Sequence, residues 1–155
     1  MELWQRIDTS PLEDARALLT TACGSRRWVD RMLMRRPFGS RDALLAVARD
    51  EWFSLGESDW REAFSHHPKI GEKTADRLAS KEQSGVSGAA GGVLAALAEG
   101  NRDYERKFGY IFIVCATAKR ADQMLALLRA RLANDPATEI RIAAEEQAKI
   151  TALRL

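Results

Sequence analysis

Apolar residues recur at intervals of three and four through most of this 155-residue chain, and that spacing is the strongest constraint on its fold. After Ala121, for example, the apolar stripe consists of Met124, Leu125, Leu128 and Leu132. Residues with this spacing lie on one side of an α-helix, whereas a half-buried β-strand requires strict alternation. The pattern therefore predicts an all-α fold.

Start and stop signals divide the pattern into about seven to nine helices. Ser10-Pro11 has the form of a capping box with Pro at the first helical position. The next helix is predicted from Ser25 onward, and Ser40 and Ser58 are predicted to cap the two helices that follow it. Asp135-Pro136 is predicted to begin the last helix, which continues to the C-terminus.

The middle of the chain carries weaker signals. Residues 73–83 are predicted to be helical, and the four glycines of Gly85 to Gly92 predict a bend or loose joint. Helical spacing resumes over residues 93–108, with Gly100-Asn101 as a possible break. Residues 109–115 form the one β-like run, for which an unpaired extended segment, a core strand and a buried helix all remain open.

Length and composition predict one domain over residues 1–155, because 46% apolar residues can build a core and no linker interrupts them. Cys23 and Cys115 lie far apart, so neither a disulfide framework nor a Cys-rich zinc site is indicated. No apolar stretch is long enough to span a bilayer, and the N-terminus lacks the pattern of a signal peptide. We therefore expect a cytoplasmic protein that does not associate with membranes.

Charge leaves one rival function open, a small helical nucleic-acid-binding module. The chain carries a net charge of only +2, but a local basic cluster lies in two predicted helices: Arg26, Arg27, Arg31, Arg35, Arg36 and Arg41. A solvated helix face balanced by acidic patches is the commoner explanation of such a cluster, so we expect no nucleic-acid partner. A third possibility is an interaction module that uses the stripe from Met124 to Leu132 as a dimer face.

His67 is the first candidate for chemistry. Pro68 disfavours the α conformation for His67, and Gly71 supplies backbone freedom beyond it, so the imidazole would lie on a short turn between two helices. The plainer interpretation is a histidine that only ends a helix. His66 and His67 have no further ligands at metal-binding spacing, so we expect no metal.

Glu82 and Gln83 are candidates to act with His67. A carboxylate beside a histidine fixes its tautomer and favours its protonated form, and an amide can bind a carbonyl or urea group through two hydrogen bonds. The backbone of the β-like run could bind a polar heterocycle if it is unpaired, and Arg154 could bind a carboxylate. Solvated helix ends and a core segment are the plainer alternatives.

Several short motifs occur in a fixed order along the chain: His67-Pro68-Lys69-Ile70-Gly71, Glu82-Gln83, Asn101-x-x-Tyr104-x-x-Lys107-Phe108-Gly109-x-x-Phe112, Glu139 and Leu153-Arg154-Leu155. Together they resemble the 2-oxo-4-hydroxy-4-carboxy-5-ureidoimidazoline (OHCU) decarboxylase family. The resemblance implies an all-helical, usually homodimeric lyase of urate breakdown that needs no cofactor and makes (S)-allantoin from a small-molecule substrate.

The resemblance also implies roles for individual residues. His67 and Glu82 would be catalytic. The substrate would be bound by Pro68, Ala79, Ser80, Lys81, Gln83, the segment Ile111, Phe112, Ile113, Val114 and Cys115, and Arg154. The family often has Ser where this chain has Ala79, so Ser80 is the candidate to replace that hydrogen bond.

Overall fold

The computed structural model describes residues 1–67 and 88–155, with side chains described from Gly91 onward in the second range. All regular secondary structure in these ranges is helical, so the all-α prediction is confirmed. We number the described helices α1 (Leu3–Thr9), α2 (Leu12–Ala22), α3 (Arg26–Arg35), α4 (Arg41–Phe53), α5 (Glu57–Phe64), α6 (Gly88–Phe108), α7 (Ala121–Leu132) and α8 (Pro136–Arg154). None of them is long and apolar enough to cross a membrane.

The predicted cap of α4 is confirmed, and α3 also begins with a serine cap. Ser25 Oγ accepts a hydrogen bond from the backbone N–H of Trp28 at 3.3 Å, and Ser40 Oγ accepts one from Ala43 at 3.1 Å. Each bond satisfies an N–H group that has no partner within the first helical turn. The start of α8 is also as predicted, because Asp135 accepts hydrogen bonds from Thr138 and Pro136 is the first helical residue.

Two predicted helix starts are wrong. Ser10 does not cap α2; Pro11 holds the cap position and no side chain caps the helix. Ser10 instead ends α1, where its N–H donates to the carbonyl of Arg6 at 3.0 Å. Ser58 lies inside α5, which begins at Glu57, and Glu57 and Asp59 place negative charge in its first turn where it is favourable.

Helix α1 was not predicted. Its start is a capping box in which the backbone N–H of Glu2 donates to Gln5 Oε1 at 2.8 Å. Ile7, the only fully buried residue of this helix, is completely shielded from solvent. A single buried residue leaves too short an apolar pattern to mark a helix in the sequence.

The glycine-rich joint is also wrong where it can be compared. Residues 85–87 and the predicted helix at residues 73–83 lie outside the described residues, but Gly88 to Gly92 belong to α6. Gly100 lies within the same helix and does not break it. A Cβ atom at Gly100 would lie 2.6 Å from Leu128 Cδ2, so glycine at this position allows α6 and α7 to approach closely.

The chain divides into two compact units, one formed by residues 1–66 with 144–155 and the other by residues 67–143. In the first unit, the indole N–H of Trp28 donates to the Ala48 carbonyl at 3.0 Å, and that of Trp52 donates to the Ala144 carbonyl at 2.9 Å. Buried tryptophans of this kind combine a large apolar surface with a satisfied polar group. The single-domain organisation of residues 1–155 stays a prediction.

The unit of residues 67–143 has an aromatic core. The centre of the Tyr104 ring lies 4.6 Å from the centre of the Phe108 ring and 5.3 Å from that of the Phe112 ring. Met124, Leu125 and Leu128 of α7 are buried. The apolar stripe of α7 is therefore largely core and does not form an exposed dimer face.

Candidate functional site

His67 lies directly beyond the turn that ends α5. The backbone N–H of Ser65 donates to Arg61 and that of His66 to Ala63, each at 3.1 Å, and these bonds close the last turn of the helix. His67 follows as a partly buried residue outside the helix, as the following Pro68 predicts. Pro68 itself lies outside the described residues.

The ring of His66 lies against the backbone at Gly24. A Cβ atom at Gly24 would be 2.4 Å from His66 Cγ and 2.8 Å from Nδ1, which is too close for any side chain. Nearby, partial burial by itself would raise the pKa of Glu62. Hydrogen bonds from the backbone N–H and guanidinium of Arg26, together with the charges of Arg26 and His66, outweigh burial and lower this pKa. This cluster fixes the chain immediately before His67.

The β-like run is neither helix nor strand. It begins at Gly109, whose φ of 84° reverses the chain at the end of α6 and whose N–H donates to the Glu105 carbonyl at 2.8 Å. Residues 111–115 have no strand partner among the described residues, and all but Ile111 are buried. Of the three possibilities that the sequence left open, the structure adopts the unpaired segment.

The backbone of this segment keeps polar groups available. Within the described part of the chain, no group accepts a hydrogen bond from the N–H groups of residues 111–114. The carbonyls of Ile113 and Cys115 do have partners, Arg131 and Lys119. Buried backbone N–H groups are nearly always paired in proteins, so a run of unpaired donors points to a ligand.

Arg131 of α7 anchors the segment. Its Nη1 atom donates to the Ile113 carbonyl at 2.5 Å, while Nε and Nη2 donate to Glu139 Oε2 at 2.9 and 2.5 Å. Arg131 is 7% exposed and Glu139 is fully buried. Such a pair persists in a core only when its polar atoms are satisfied, and these three nitrogens all have acceptors.

Further contacts complete the surroundings of Glu139. The hydroxyl of Tyr104 donates to Oε2, and Asn134 Nδ2 donates to Oε1 at 3.1 Å. Burial, and then the hydrogen bond to Glu139, raise the pKa of Tyr104, so its hydroxyl remains a donor. The guanidinium carbon of Arg131 also lies 4.5 Å from the centre of the Phe112 ring.

One polar side chain of α6 has no hydrogen bond to its amide nitrogen. Asn101 is 8% exposed, and its Nδ2 atom has no acceptor in the described part of the chain. It lies one turn before Tyr104, on the same side of the helix. Asn101 is therefore a further unsatisfied donor in the unit that holds the segment.

Arg154 is the penultimate residue and ends α8. Its Nη1 atom donates to the Thr21 carbonyl at 3.3 Å, near the C-terminal end of α2, and the side chain is exposed. The following Leu155 is buried, and its N–H donates to the Thr151 carbonyl at 3.1 Å. The position of Arg154 is thus defined by both flanking contacts.

The described residues hold only part of the predicted site. His67 and the segment from Ile111 to Cys115 belong to the unit of residues 67–143, whereas Arg154 belongs to the other unit. Six predicted site residues lie outside the described residues: Pro68, Ala79, Ser80, Lys81, Glu82 and Gln83. The pairing of His67 with Glu82 therefore stays a prediction. Among the described side chains, no group of three or more His, Cys, Asp or Glu residues could hold a metal ion.

Sequence reasoning missed Arg131. Its signal was present, because Arg131 follows Leu128 by three residues and so falls on the apolar side of α7. A charged residue on a buried helical stripe requires a buried partner, and Glu139 is that partner.

A profile of the family described as OHCU decarboxylase matches residues 8–155. The chain belongs to the OHCU decarboxylase family. The resemblance found in the sequence motifs is thereby confirmed.

Curated relatives agree with this family. The chain is 39% identical over 142 residues to the uric acid degradation bifunctional protein TTL of Arabidopsis thaliana, a match that covers 86% of this chain and 44% of that protein. It is 36% identical over 87 residues to the 2-oxo-4-hydroxy-4-carboxy-5-ureidoimidazoline decarboxylase of Amia calva, covering 56% of this chain and 50% of that protein. The chain thus spans about half the length of these relatives.

Solved structures give the same fold. A crystal structure of OHCU decarboxylase in the presence of (S)-allantoin matches with a TM-score of 0.73 and 38% identity, over 87% of this chain and 92% of that one. A crystal structure of (S)-allantoin synthase matches with a TM-score of 0.70 over 96% of this chain and 50% of that one. At 17% identity, the second match concerns the fold alone.

Proposed function

We propose that this protein catalyses the decarboxylation of OHCU to (S)-allantoin in urate breakdown, without a cofactor. Family membership and the relatives support the reaction class. The observation that carries the proposal is the run of unpaired backbone donors at residues 111–114, in the same unit as His67. Such donors match a substrate rich in carbonyl oxygens.

The chemistry of the substrate defines what the protein must supply. Loss of CO2 from carbon 4 leaves an electron pair that the adjacent imidazolone system can accept. The remaining requirements are orientation of the ring, desolvation of the carboxylate and delivery of a proton to one face of the planar carbanion. Delivery to one face gives a single enantiomer.

Each proposed role follows from the chemistry of the residue. His67, oriented by Glu82, supplies or relays the proton, because an imidazole titrates near neutral pH and a carboxylate favours its protonated form. Gln83 and the backbone donors of residues 111–114 bind the ureido and ring carbonyls. Arg154 binds an anionic or carbonyl group of the substrate.

The remaining predicted contacts belong to the same proposal. Pro68, Ala79, Ser80 and Lys81 would line the substrate, with Ser80 in place of the serine that the family often has at position 79. A homodimer is likewise proposed from the family resemblance, and a cytoplasmic location from the sequence pattern. Light scattering on the purified protein distinguishes a dimer from a monomer.

Two adjacent histidines allow a matched experiment. OHCU is generated in situ from urate by the two upstream activities, and its disappearance is followed with wild-type protein, His67→Asn and His66→Asn. We expect His67→Asn to lower kcat by at least about 100-fold, the usual contribution of a general acid or base. We expect His66→Asn, a change to an exposed neighbour, to retain turnover. Equal rates for wild-type protein and His67→Asn would contradict the proposed role.

A further inference from the structure

We propose that Arg131 is a positioning residue that orients the peptide between Ile113 and Val114, so that the Val114 N–H binds a carbonyl oxygen of the substrate. The inference rests on the proposed function, because it assigns a substrate contact for that reaction. It concerns a residue on α7 that the sequence motifs did not include.

The first step is the geometry of one peptide plane. Arg131 Nη1 binds the Ile113 carbonyl oxygen at 2.5 Å. In a trans peptide, the carbonyl of one residue and the N–H of the next point in opposite directions and are rigidly coupled. Fixing the Ile113 carbonyl toward Arg131 therefore directs the Val114 N–H to the opposite side of the segment.

The second step is that this N–H has no other function in the described structure. No described group accepts a hydrogen bond from Val114 N–H, and Val114 is 4% exposed. An unpaired buried donor costs about 1–3 kcal/mol, whereas one that meets a ligand acceptor recovers that cost on binding. A neutral amide donor suits the carbonyl oxygen of a urea or imidazolone group.

The third step is the rigidity of Arg131. Glu139 binds Nε and Nη2 at 2.9 and 2.5 Å, and the Phe112 ring lies 4.5 Å from the guanidinium carbon. Glu139 is in turn held by Tyr104 and Asn134. A guanidinium fixed in this way can impose one orientation on the Ile113 carbonyl, which a flexible lysine cannot do.

The experiment compares Arg131→Lys with Tyr104→Phe. Lysine keeps the positive charge beside Glu139 but cannot bind both Glu139 and the Ile113 carbonyl in the same geometry. Phenylalanine removes the bond from the Tyr104 hydroxyl to Glu139 and the weak 3.4 Å bond that this hydroxyl accepts from Arg131 Nη2. The shorter bonds of Arg131 to Glu139 and to the Ile113 carbonyl stay in place. Both variants lose stability, but only Arg131→Lys releases the segment.

For Arg131→Lys we expect KM for OHCU to rise about tenfold, the effect of one weakened hydrogen bond, with kcat and its pH profile close to wild type. For Tyr104→Phe we expect a lower melting temperature with KM unchanged. Equal KM values for Arg131→Lys and wild type, or equal increases in both variants, would overturn the inference. No turnover by wild-type protein would overturn the proposed function, and this inference with it.

A measurement on the wild-type protein covers the case in which Arg131→Lys does not fold. The protein labelled with nitrogen-15 is titrated with (S)-allantoin, and the amide resonance of Val114 is followed. We expect this resonance to move downfield in proportion to occupancy, because its N–H gains an acceptor. If allantoin binds and the Val114 amide does not move, the inference is wrong.

Discussion

The imidazole of His66 occupies the space that a side chain at Gly24 would need. A Cβ atom at Gly24 would approach His66 Cγ to 2.4 Å, and Cγ is held close to the backbone by the short side chain. Gly24→Ala must therefore displace His66, the residue directly before His67. We expect a loss of about 1–3 kcal/mol in the free energy of unfolding, typical of overpacking, and a lower kcat.

The double variant Gly24→Ala/His66→Ala provides the control. Removing the ring leaves space for the new methyl group, so we expect both stability and turnover to recover toward wild type. Chemical denaturation measures the first and the decarboxylation assay the second. A single Gly24→Ala variant as stable as wild type would refute this explanation.

We expect the burial of Cys23 to lower the stability of the protein at alkaline pH. Burial raises the pKa of its thiol to about 11, so the folded protein holds this proton at pH values where the unfolded chain has released it. The protonated Cys23 thiol makes its full contribution to the free energy of unfolding below about pH 9. This contribution is lost as the pH rises through about 11, which lowers the free energy of unfolding by about 2–3 kcal/mol.

Melting temperatures at pH 8 and pH 10.5 test the Cys23 prediction by difference. We expect Cys23→Ala to show a smaller decline than wild type between the two pH values, since it lacks this thiol. Cys115→Ala retains Cys23 and serves as the matched control, with the decline preserved. An identical decline in wild type and Cys23→Ala would show that Cys23 does not cause it.

Ala118 lies in a backbone conformation that favours glycine. Its φ is 60°, in the turn where the Lys119 N–H donates to the Ala116 carbonyl at 3.1 Å. The left-handed conformation destabilises an L-residue by about 1–2 kcal/mol. Glycine avoids this strain, but its greater conformational entropy in the unfolded chain offsets part of the gain in stability. We expect Ala118→Gly to raise the free energy of unfolding by about 0.5–1 kcal/mol.

Denaturant titration measures that gain. Ala116→Gly, an exposed alanine in the same turn without a positive φ, is the comparison and should be destabilising. A loss of stability in Ala118→Gly as large as in Ala116→Gly would contradict the assignment of strain to Ala118.

The basic cluster of the rival nucleic-acid hypothesis is largely paired in the structure. Arg26 binds Glu62 at 2.8 Å, Arg35 binds Glu51 at 2.8 Å, and Arg36 donates to backbone carbonyls. Arg27 and Arg31 also lie within 3.7 Å of carboxylates. We expect fluorescence anisotropy to detect no tight binding of duplex DNA or RNA; binding that weakens steeply with salt would revive the hypothesis.

The sequence predicts a helix well where the cap and the apolar stripe agree, as they do after Ser40. The prediction fails where a serine does not occupy the cap position of the helix assigned to it. Ser10 ends the preceding helix, and Ser58 is the second residue of α5, which begins at Glu57. Gly88 to Gly92 and Gly100 all remain helical. At Gly100 the close approach of Leu128 requires glycine despite its low helix propensity.

Only part of the candidate site could be predicted from the sequence. His67 could be placed at the end of a helix because Pro68 restricts the residue before it. The unpaired state of residues 111–114 could not be predicted, since a solitary apolar run fits a strand, a helix or an extended segment equally well. The bond from Arg131 to Ile113 joins residues 18 positions apart, and only the folded chain reveals it.

The optical activity of the product tests the central claim most directly. OHCU formed in situ from urate decays spontaneously to racemic allantoin, so circular dichroism at the allantoin band separates catalysis from decay. The proposed function predicts rapid appearance of the S enantiomer with wild-type protein and a racemic product with His67→Asn. A racemic product at the spontaneous rate in the presence of wild-type protein would contradict it.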